Sequence, residues 1–443
     1  MTEPYHADNL VTVHHGDCLQ HLRNLPDNSI DSIVTDPPYG LSNTGPGNVA
    51  DTIVRWAGGE RDHVPEGRGF MGRPWDAFVP PPAVWDECLR VLKPGGHMLV
   101  FAGSRTQDLM GMSIRLAGFE LRDSLAWITG SGFPKSLDVS KAIDKAAGAE
   151  GTWTPHPKYA NRNGSGEGES TFGQVAGQGG TRHLYTSATP EAERWAGWGT
   201  ALKPSHEPVL CARKPLTGTV AANVLEWGTG ALNIDACRVP SDEITGWGGA
   251  GAGGGTWNSE NMGLGKDGDA RPVQGRWPAN VLLDPEAAEE MDAQSGILAV
   301  AGNKPDSLRT GTEDGPTKPR DSQVPTYTGG PSVTYKDKGG ASRFFHVFKY
   351  QAKAPKKERP VIERADGTKI QHPTVKPLAL MEWLVTLITP PGGVVLDPFA
   401  GSGTTLQAAR DKGFHAIGVE ADADHCELIV ARLSKDDGGL FAA

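Results

Sequence analysis

Two short segments of the 443-residue chain combine residue types that suit ligand binding and group transfer. The first is Asp36-Pro37-Pro38-Tyr39, which follows the short run Asp31–Thr35, DSIVT. That run predicts a buried strand that ends at the prolines, and α/β proteins bind ligands at the carboxyl ends of strands. The Asp36 carboxylate and a carbonyl at the proline turn are two acceptors aimed at one point, and Tyr39 offers a flat face for stacking. These groups suit an aromatic amino group, but a proline-rich strand end with a buried tyrosine is a common alternative.

The second segment runs from Asp397 to Thr405 and reads DPFAGSGTT. Its glycines lie between a predicted strand and a predicted helix, where a missing side chain lets the backbone approach a ligand closely. The next predicted strand ends at Glu420, about 20 residues later, which is the usual distance for a carboxylate that binds ribose hydroxyls. The spacing is F-x-G-x-G and differs from the G-x-G-x-x-G of dinucleotide enzymes. The segment therefore indicates a nucleoside-binding turn, and the alternative is a tight turn with a capping hydroxyl.

The elements around these segments predict an α/β protein. The predicted strands are Leu10–His14, Asp31–Thr35, His97–Ala102, Leu121–Ile128, Glu207–Arg213, Gly393–Leu396 and His415–Val419. The predicted helices are Cys18–Leu25, Val84–Leu92, Thr106–Ala117, Pro377–Ile388, Thr404–Lys412 and Asp424–Leu433. This alternation favours a mainly parallel, doubly wound sheet that is covered on both faces.

Charge and cysteine content limit the classes of partner. The chain has 43 basic and 53 acidic residues, a net charge of −10, so a nucleic-acid surface would have to be a local patch. One candidate patch is the stretch 336–376, where eleven basic residues face four acidic ones, although a solvated charged face is the usual reading of such a stretch. The five cysteines are scattered without a C-x-x-C pair, which indicates reduced thiols and no zinc site. We see no signal peptide and no apolar run long enough for a membrane helix, which favours a cytoplasmic protein.

Taken together, the two segments resemble the amino-methyltransferase family, in which D/N/S-P-P-Y/F/W is the catalytic motif and F-x-G-x-G binds S-adenosylmethionine. The catalytic motif comes first here, and a long insertion follows it, as in the β class of DNA amino-methyltransferases. The flanking segments Gly16–Leu19 and His372–Pro377 agree with this resemblance, which covers about 11–128 and 342–433. Two further segments, 132–136 and 201–216, resemble methyltransferases of phage and prophage origin.

The resemblance implies methyl transfer to a base that has been flipped out of duplex DNA in a bacterial or phage-infected cell. Asp36 and the Pro37 carbonyl, at the turn that Pro38 completes, would accept hydrogen bonds from the target amino group, and Tyr39 would stack on the base. The cofactor-binding residues implied are Asp17, Cys18, His372, Lys376, Asp397, Phe399, Ala400, Gly401, Ser402, Gly403, Thr404 and Glu420. Asp17 has a helix N-cap as its alternative role, and His372 and Lys376 could instead order the loop before the helix.

Substrate contacts are predicted outside the two motifs. Phe133 follows the predicted strand Leu121–Ile128 and is expected near the flipped base, with a core or turn role as the alternative. From the basic stretch, we expect Lys353, Lys356, Lys357 and Arg359 to contact DNA. Direct transfer requires no metal and no covalent nucleophile, and no cysteine follows a proline as carbon-5 cytosine methylation would require.

The resulting hypothesis is a Rossmann-like methyltransferase domain formed by 1–150 and 341–443. In between, 151–215 returns to the core sheet and the Gly- and Trp-rich region 216–340 recognises the target. Adenine is the favoured base, because family members with Asp at the position of Asp36 lean to adenine and those with Ser lean to cytosine. Three alternatives stay open: N4 of cytosine, an RNA or protein-amide substrate, and a DNA regulator that binds cofactor without catalysis. A homodimer is also left open.

Overall fold

The computed structural model describes residues 3–41, 45–67, 69, 76–130, 136–155, 183–247, 271–299, 338–348, 359–364 and 366–434. The strands are β1 (His6–Ala7), β2 (Val11–His15), β3 (Ile30–Thr35), β4 (Leu92–Phe101), β5 (Glu120–Ile128), β6 (Thr152–Pro155), β7 (His183–Thr186), β8 (His206–Arg213), β9 (Val239–Trp247), β10 (Arg271–Arg276), β11 (Val281–Leu283), β12 (Leu298–Ala299), β13 (Lys338–Gly339), β14 (His346–Val347), β15 (Val361–Glu363), β16 (Lys369–Gln371), β17 (Val394–Asp397) and β18 (His415–Glu420). The helices are α1 (Cys18–Leu22), α2 (Pro46–Gly58), α3 (Pro82–Val91), α4 (Gln107–Leu116), α5 (Val139–Ala146), α6 (Pro190–Arg194), α7 (Val220–Trp227), α8 (Pro285–Ser295), α9 (Leu378–Ile388), α10 (Thr404–Asp411) and α11 (Ala423–Ser434).

Ten of these strands form one sheet in the order β1-β2-β18-β17-β3-β4-β8-β5-β11-β14. The strands from β2 to β4 are parallel, whereas β8 runs antiparallel to both β4 and β5. The carboxyl ends of β2, β18, β17, β3, β4 and β5 therefore share one edge of the sheet, and the amino end of β8 reaches the same edge. The predicted α/β fold with a mainly parallel sheet is confirmed.

Two apolar clusters cover the two faces of this sheet. Neighbouring residues of β3 point to opposite faces, so Val34 belongs to one cluster and Ile33 to the other. Helices α9 and α10 pack on the Val34 side, and helices α3 and α4 pack on the Ile33 side. Burial on both faces explains why all six residues of β3 are buried and show no alternation between buried and exposed positions. No helix among the described residues is both long and apolar enough to cross a membrane.

The middle of the chain holds more regular structure than the single strand Glu207–Arg213 that the sequence predicted there. Strand β11 joins the main sheet between β5 and β14, and α7 packs against β4. The buried Asn223 of α7 donates to the Pro94 carbonyl at 2.9 Å, which ties the helix to the first residues of β4. Parts of the proposed recognition region 216–340 therefore pack on the sheet, and its role in recognition stays a prediction.

Candidate active site

The first part of the site is a group of four side chains, the Asp36 cluster, formed by Asp36, Tyr39, Glu207 and Lys376. Asp36 and Tyr39 follow β3, Glu207 is the second residue of β8, and Lys376 precedes α9. The Tyr39 hydroxyl donates to Asp36 Oδ1 at 2.7 Å and lies 3.2 Å from Glu207 Oε2. These residues meet because the carboxyl end of β3 and the amino end of the antiparallel β8 share one edge of the sheet.

Lys376 provides the positive charge of the Asp36 cluster. Its Nζ lies 2.9 Å from Asp36 Oδ2, 3.1 Å from Glu207 Oε2 and 2.9 Å from the Tyr39 hydroxyl. Burial opposes the charge of Lys376, but the two carboxylates raise its pKa above the usual value. Burial, followed by the charges of Asp36 and Glu207, raises the pKa of Tyr39, so its hydroxyl keeps the proton that it donates. Two carboxylates and one ammonium leave the cluster with one net negative charge.

The backbone after Tyr39 is fixed by two side chains from neighbouring elements. Thr106 Oγ1 donates to the Tyr39 carbonyl at 2.6 Å, and the Gly40 amide donates to Asp76 Oδ1 at 3.0 Å. Gly40 has a φ of +63°, and an added Cβ would lie 2.6 Å from the Val79 nitrogen. Only glycine fits this turn, which fixes the path of the backbone after Tyr39. Stacking of that ring on a base stays a prediction.

The second part of the site is the glycine turn between β17 and α10. The Gly401 amide donates to Glu420 Oε2 at 2.7 Å, across the parallel pair β17 and β18. Gly401 has a φ of +52°, and an added Cβ would lie 3.1 Å from His372 Nε2. Gly403 has a φ of +77°, and its added Cβ would lie 3.0 Å from Ile429. The turn therefore presents bare backbone next to a carboxylate, as a nucleoside site requires.

Glu420 is held in place from several sides. Its Oε1 accepts from the Asp422 amide at 2.9 Å and lies 3.5 Å from His425 Nδ1. Its carbonyl accepts from the Gly16 amide at 2.9 Å, which brings the segment after β2 against the same turn. The side chain is 11% exposed. Glu420 is thus a rigid acceptor at the sheet edge, in the position expected for a ribose-binding carboxylate.

The two residues after Gly16 show different environments. Asp17 caps α1 by accepting from the Gln20 amide at 3.0 Å, so its alternative N-cap role is present in the structure, and cofactor contact stays a prediction. Burial, together with the charge of Asp17, raises the pKa of the Cys18 thiol to about 12. Cys18 packs on an apolar cluster as a neutral thiol beside the turn.

His372 borders the glycine turn as a neutral imidazole. Its ring centroid lies 4.5 Å from that of His425, and its Nδ1 is hydrogen bonded with the Thr374 carbonyl. Burial, followed by the charge of His425, lowers the pKa of His372 to about 4. An uncharged ring therefore faces Gly401 at neutral pH, which suits contact with a neutral nucleoside face and avoids repulsion of a positively charged cofactor.

Asp397 connects the two parts of the site. Its Oδ1 accepts from Thr35 Oγ1 at 2.6 Å and from the Phe399 amide at 3.1 Å. Thr35 directly precedes Asp36, so one carboxylate links the strand before the Asp36 cluster to the glycine turn. Burial raises the pKa of Asp397 to about 6, while its hydrogen bonds work in the opposite direction. With an exposure of 2%, Asp397 supports the turn from within the sheet.

The remaining predicted residues of the turn are held by backbone and side-chain contacts. The Ala400 amide donates to the Val419 carbonyl at 2.9 Å. Ser402 and Thr404 are buried, and their hydroxyl oxygens lie 3.1 Å apart. The buried Arg432 donates to the Ser402 carbonyl at 2.7 Å. The whole turn is therefore preorganised by the elements behind it.

Some predicted residues lie elsewhere. Phe133, Lys353, Lys356 and Lys357 are outside the described residues, so their contacts with base and DNA stay predictions. Arg359 is partly buried shortly before β15 and likewise stays a predicted DNA contact. The structure places Lys376, predicted at the cofactor, in the Asp36 cluster. Glu207 was missed, although it begins a predicted strand, because the antiparallel direction of that strand is not encoded in its own residues.

Metal coordination finds no support in the part of the chain that the structure describes. No group of three or more His, Cys, Asp or Glu side chains there is arranged to hold a metal ion. Acid–base and electrostatic groups of the Asp36 cluster and the glycine turn are the chemistry that the site presents.

Comparisons with known proteins point to one family. The family model of N6/N4 methyltransferases, described as DNA methylase, matches residues 30–431. The type II methyltransferase M.HindIII of Haemophilus influenzae is 22% identical over 449 residues, which cover 97% of this chain and 97% of that protein. M.ScaI of Streptomyces caespitosus is 37% identical over 79 residues, 18% of this chain and 26% of its own. M2.DpnII of Streptococcus pneumoniae is 28% identical over 129 residues, 29% of this chain and 45% of its own.

Solved structures show a more distant similarity. The cytosine-N4-specific PvuII DNA methyltransferase is 13% identical with a TM-score of 0.43, covering 97% of this chain and 88% of its own. A complex of M1.HpyAVI with SAM is 14% identical with a TM-score of 0.37, covering 96% of this chain and 99% of its own.

Proposed function

Because the chain belongs to the N6/N4 DNA methylase family, whose model spans both parts of its site, we propose that it methylates the exocyclic N6 of adenine in duplex DNA with S-adenosylmethionine. The observation that carries the proposal is the Thr35–Asp397 hydrogen bond of 2.6 Å. It joins a carboxylate cluster suited to an amino group to a glycine turn suited to a nucleoside. Cofactor and base would then bind on neighbouring strands of one sheet edge.

The glycine turn fits the cofactor by its shape and charge. A Cβ at Gly401 would fill the space against His372, so the bare backbone leaves room for a ligand there. The carboxylate of Glu420 suits ribose hydroxyls. The neutral His372 does not repel the positive charge of the cofactor. When bound, S-adenosylmethionine supplies a methyl group on a positively charged sulfur. The chain contributes the position of that group relative to Asp36.

Asp36 would act on the target amino group. Its carboxylate and the neighbouring Pro37 carbonyl would accept the two N–H bonds, which directs the nitrogen lone pair away from them. A base paired in a duplex cannot reach Asp36 at the sheet edge, so we expect the target base to flip out of the helix. No covalent intermediate is required, because the acceleration comes from positioning and from the preorganised charge of the Asp36 cluster.

Adenine is proposed over cytosine because the first residue of the catalytic motif is Asp36. In the family that the motif resembles, Asp leans to adenine and Ser leans to cytosine. The test is transfer of a radiolabelled methyl group to duplex DNA, followed by digestion and chromatography of the nucleosides. Label in N6-methyl-2′-deoxyadenosine is expected, and label in N4-methyl-2′-deoxycytidine would show that the target is cytosine. Label only in RNA or in protein would refute a DNA substrate.

The proposal extends to how the chain binds its DNA. We propose that residues 216–340 recognise the target sequence and that the basic stretch 336–376 binds phosphates. A cytoplasmic location agrees with a DNA substrate, and the type II methyltransferases that the chain resembles agree with a role in restriction–modification.

A further inference from the structure

Glu207 belongs to the Asp36 cluster although neither sequence motif contains it. Its Oε2 lies 3.1 Å from Lys376 Nζ and 3.2 Å from the Tyr39 hydroxyl. The side chain is 38% exposed, whereas that of Lys376 is 11% exposed. The partners of the buried ammonium are therefore supplied mainly by the protein, and Glu207 is one of them.

The hydrogen-bonding capacity of the cluster shows what Glu207 contributes. A lysine ammonium has three N–H donors, and here it has three acceptors, on Asp36, Glu207 and Tyr39. Each Asp36 oxygen has about two acceptor positions and uses one within the cluster, for Tyr39 or Lys376. Without Glu207, the third N–H of the ammonium would be drawn to the remaining positions on Asp36. Those are the positions that the amino group of a base requires.

We infer that Glu207 is a positioning residue that shares the Lys376 ammonium with Asp36 and so keeps Asp36 available to the target amino group. The inference rests on the proposed function. It also gives the negative charge of the cluster a role in transfer. The S–CH₃ bond breaks with its electron pair left on sulfur, the nitrogen lone pair forms the N–CH₃ bond, and the nitrogen then loses one proton to water. Positive charge passes through that nitrogen, and a net negative cluster stabilises it.

The test replaces Glu207 by glutamine, which keeps the size of the side chain and removes its charge. We expect the single-turnover rate of methyl transfer at saturating DNA to fall by about 10- to 100-fold, because charge is lost where positive charge develops. Cofactor affinity, measured by calorimetry, should change by less than about twofold, since Glu207 does not contact the glycine turn. A lower transfer rate with nearly unchanged cofactor affinity distinguishes a positioning role of Glu207 from a general loss of structure.

Glu120 offers a matched control. It is a carboxylate with a similar exposure of 40%, and its Oε2 lies 2.7 Å from Arg213 Nη2. Arg213 is the last residue of β8, at the opposite end of that strand from Glu207. Glu120→Gln should keep the wild-type transfer rate. Glu207→Asp, which keeps the charge on a shorter side chain, should stay within about threefold of the wild type. All variants are compared at a temperature where circular dichroism shows them folded.

A double variant tests whether Glu207 acts through Lys376. If it does, Glu207→Gln should cost less in a Lys376→Gln chain than in the wild type, because the cation that it shares is gone and only the loss of its charge remains. A wild-type rate for Glu207→Gln, or a loss that is fully additive in the double variant, would overturn the inference while the proposed function stands. A wild-type chain that transfers no methyl group to DNA overturns both.

Discussion

The Asp36 cluster and the glycine turn lie at the same sheet edge but are built in different ways. The glycine turn is made of backbone: amides of consecutive residues, positive φ angles and one carboxylate, Glu420, on the next strand. The Asp36 cluster is made of long side chains from three distant segments, and ionic hydrogen bonds hold them together. The first part should therefore be sensitive to shape and the second to charge.

The largest expected effect is on the charged part. Asp36→Ala removes the acceptor for the target amino group, and we expect methyl transfer to fall by about a thousandfold or more, with cofactor affinity largely kept. Transfer assays and calorimetric cofactor titration measure the two effects. Near-normal transfer by a variant that binds cofactor would contradict the assignment of Asp36.

The next effect is on the shape-dependent part. Gly401→Val places a branched side chain at a φ of +52° and against His372, so cofactor affinity should fall by about 100-fold. Gly413 is the control: its φ is +75° but an added Cβ meets open space, so Gly413→Val should strain the backbone without weakening the cofactor. Equal cofactor affinities for both variants and the wild type would remove the turn from the cofactor site.

A smaller effect concerns Asp397, which joins the two parts. Its pKa of about 6 in the folded chain lies above the usual 3.8, so its contribution to stability is complete below about pH 4 and is lost as the pH rises through about 6. Asp397→Asn keeps an acceptor for Thr35 and cannot ionise. As the pH rises from about 4 to about 6, the free energy of unfolding of this variant should increase by about 2 to 3 kcal/mol relative to the wild type. Urea unfolding at several pH values measures this difference. A constant difference across that range would contradict a raised pKa.

The smallest effect is expected at Asp17, which caps α1 and is exposed to solvent. Asp17→Ala should lower the free energy of unfolding by about 1 kcal/mol through loss of the cap. Cofactor affinity should stay within about threefold of the wild type if capping is its main role. Thermal unfolding and calorimetry decide between the two roles, and a large loss of affinity with unchanged stability would restore Asp17 to the cofactor site.

The different construction of the glycine turn and the Asp36 cluster also explains how much of the site could be predicted from the sequence. The residues of the glycine turn are contiguous, and Glu420 follows at a fixed distance, so local sequence was sufficient to find them. Glu207 and Lys376 reach Asp36 from residues far away in the chain, and their meeting depends on strand order and on the direction of β8. Local pattern does not encode either property.

The helices of the middle region were missed for another reason. Helix α7 has ordinary signals, a capping Thr219 and a Gly228 with a φ of +74°, but it is short and follows a stretch of mixed composition. Its stability comes from packing on β4 and from the buried Asn223. Tertiary contacts of this kind outweigh local propensity, and the sequence does not display them.

The most direct test of the account is to sequence the DNA of a host with base-modification detection, with and without the gene for this chain and with its Asp36→Ala variant. The account predicts N6-methyladenine at one recurrent short sequence in cells with the wild-type gene, and none at that sequence in the other two. Modified cytosine in place of adenine would contradict the base assignment. Adenine methylation that persists with Asp36→Ala would contradict the role of the Asp36 cluster.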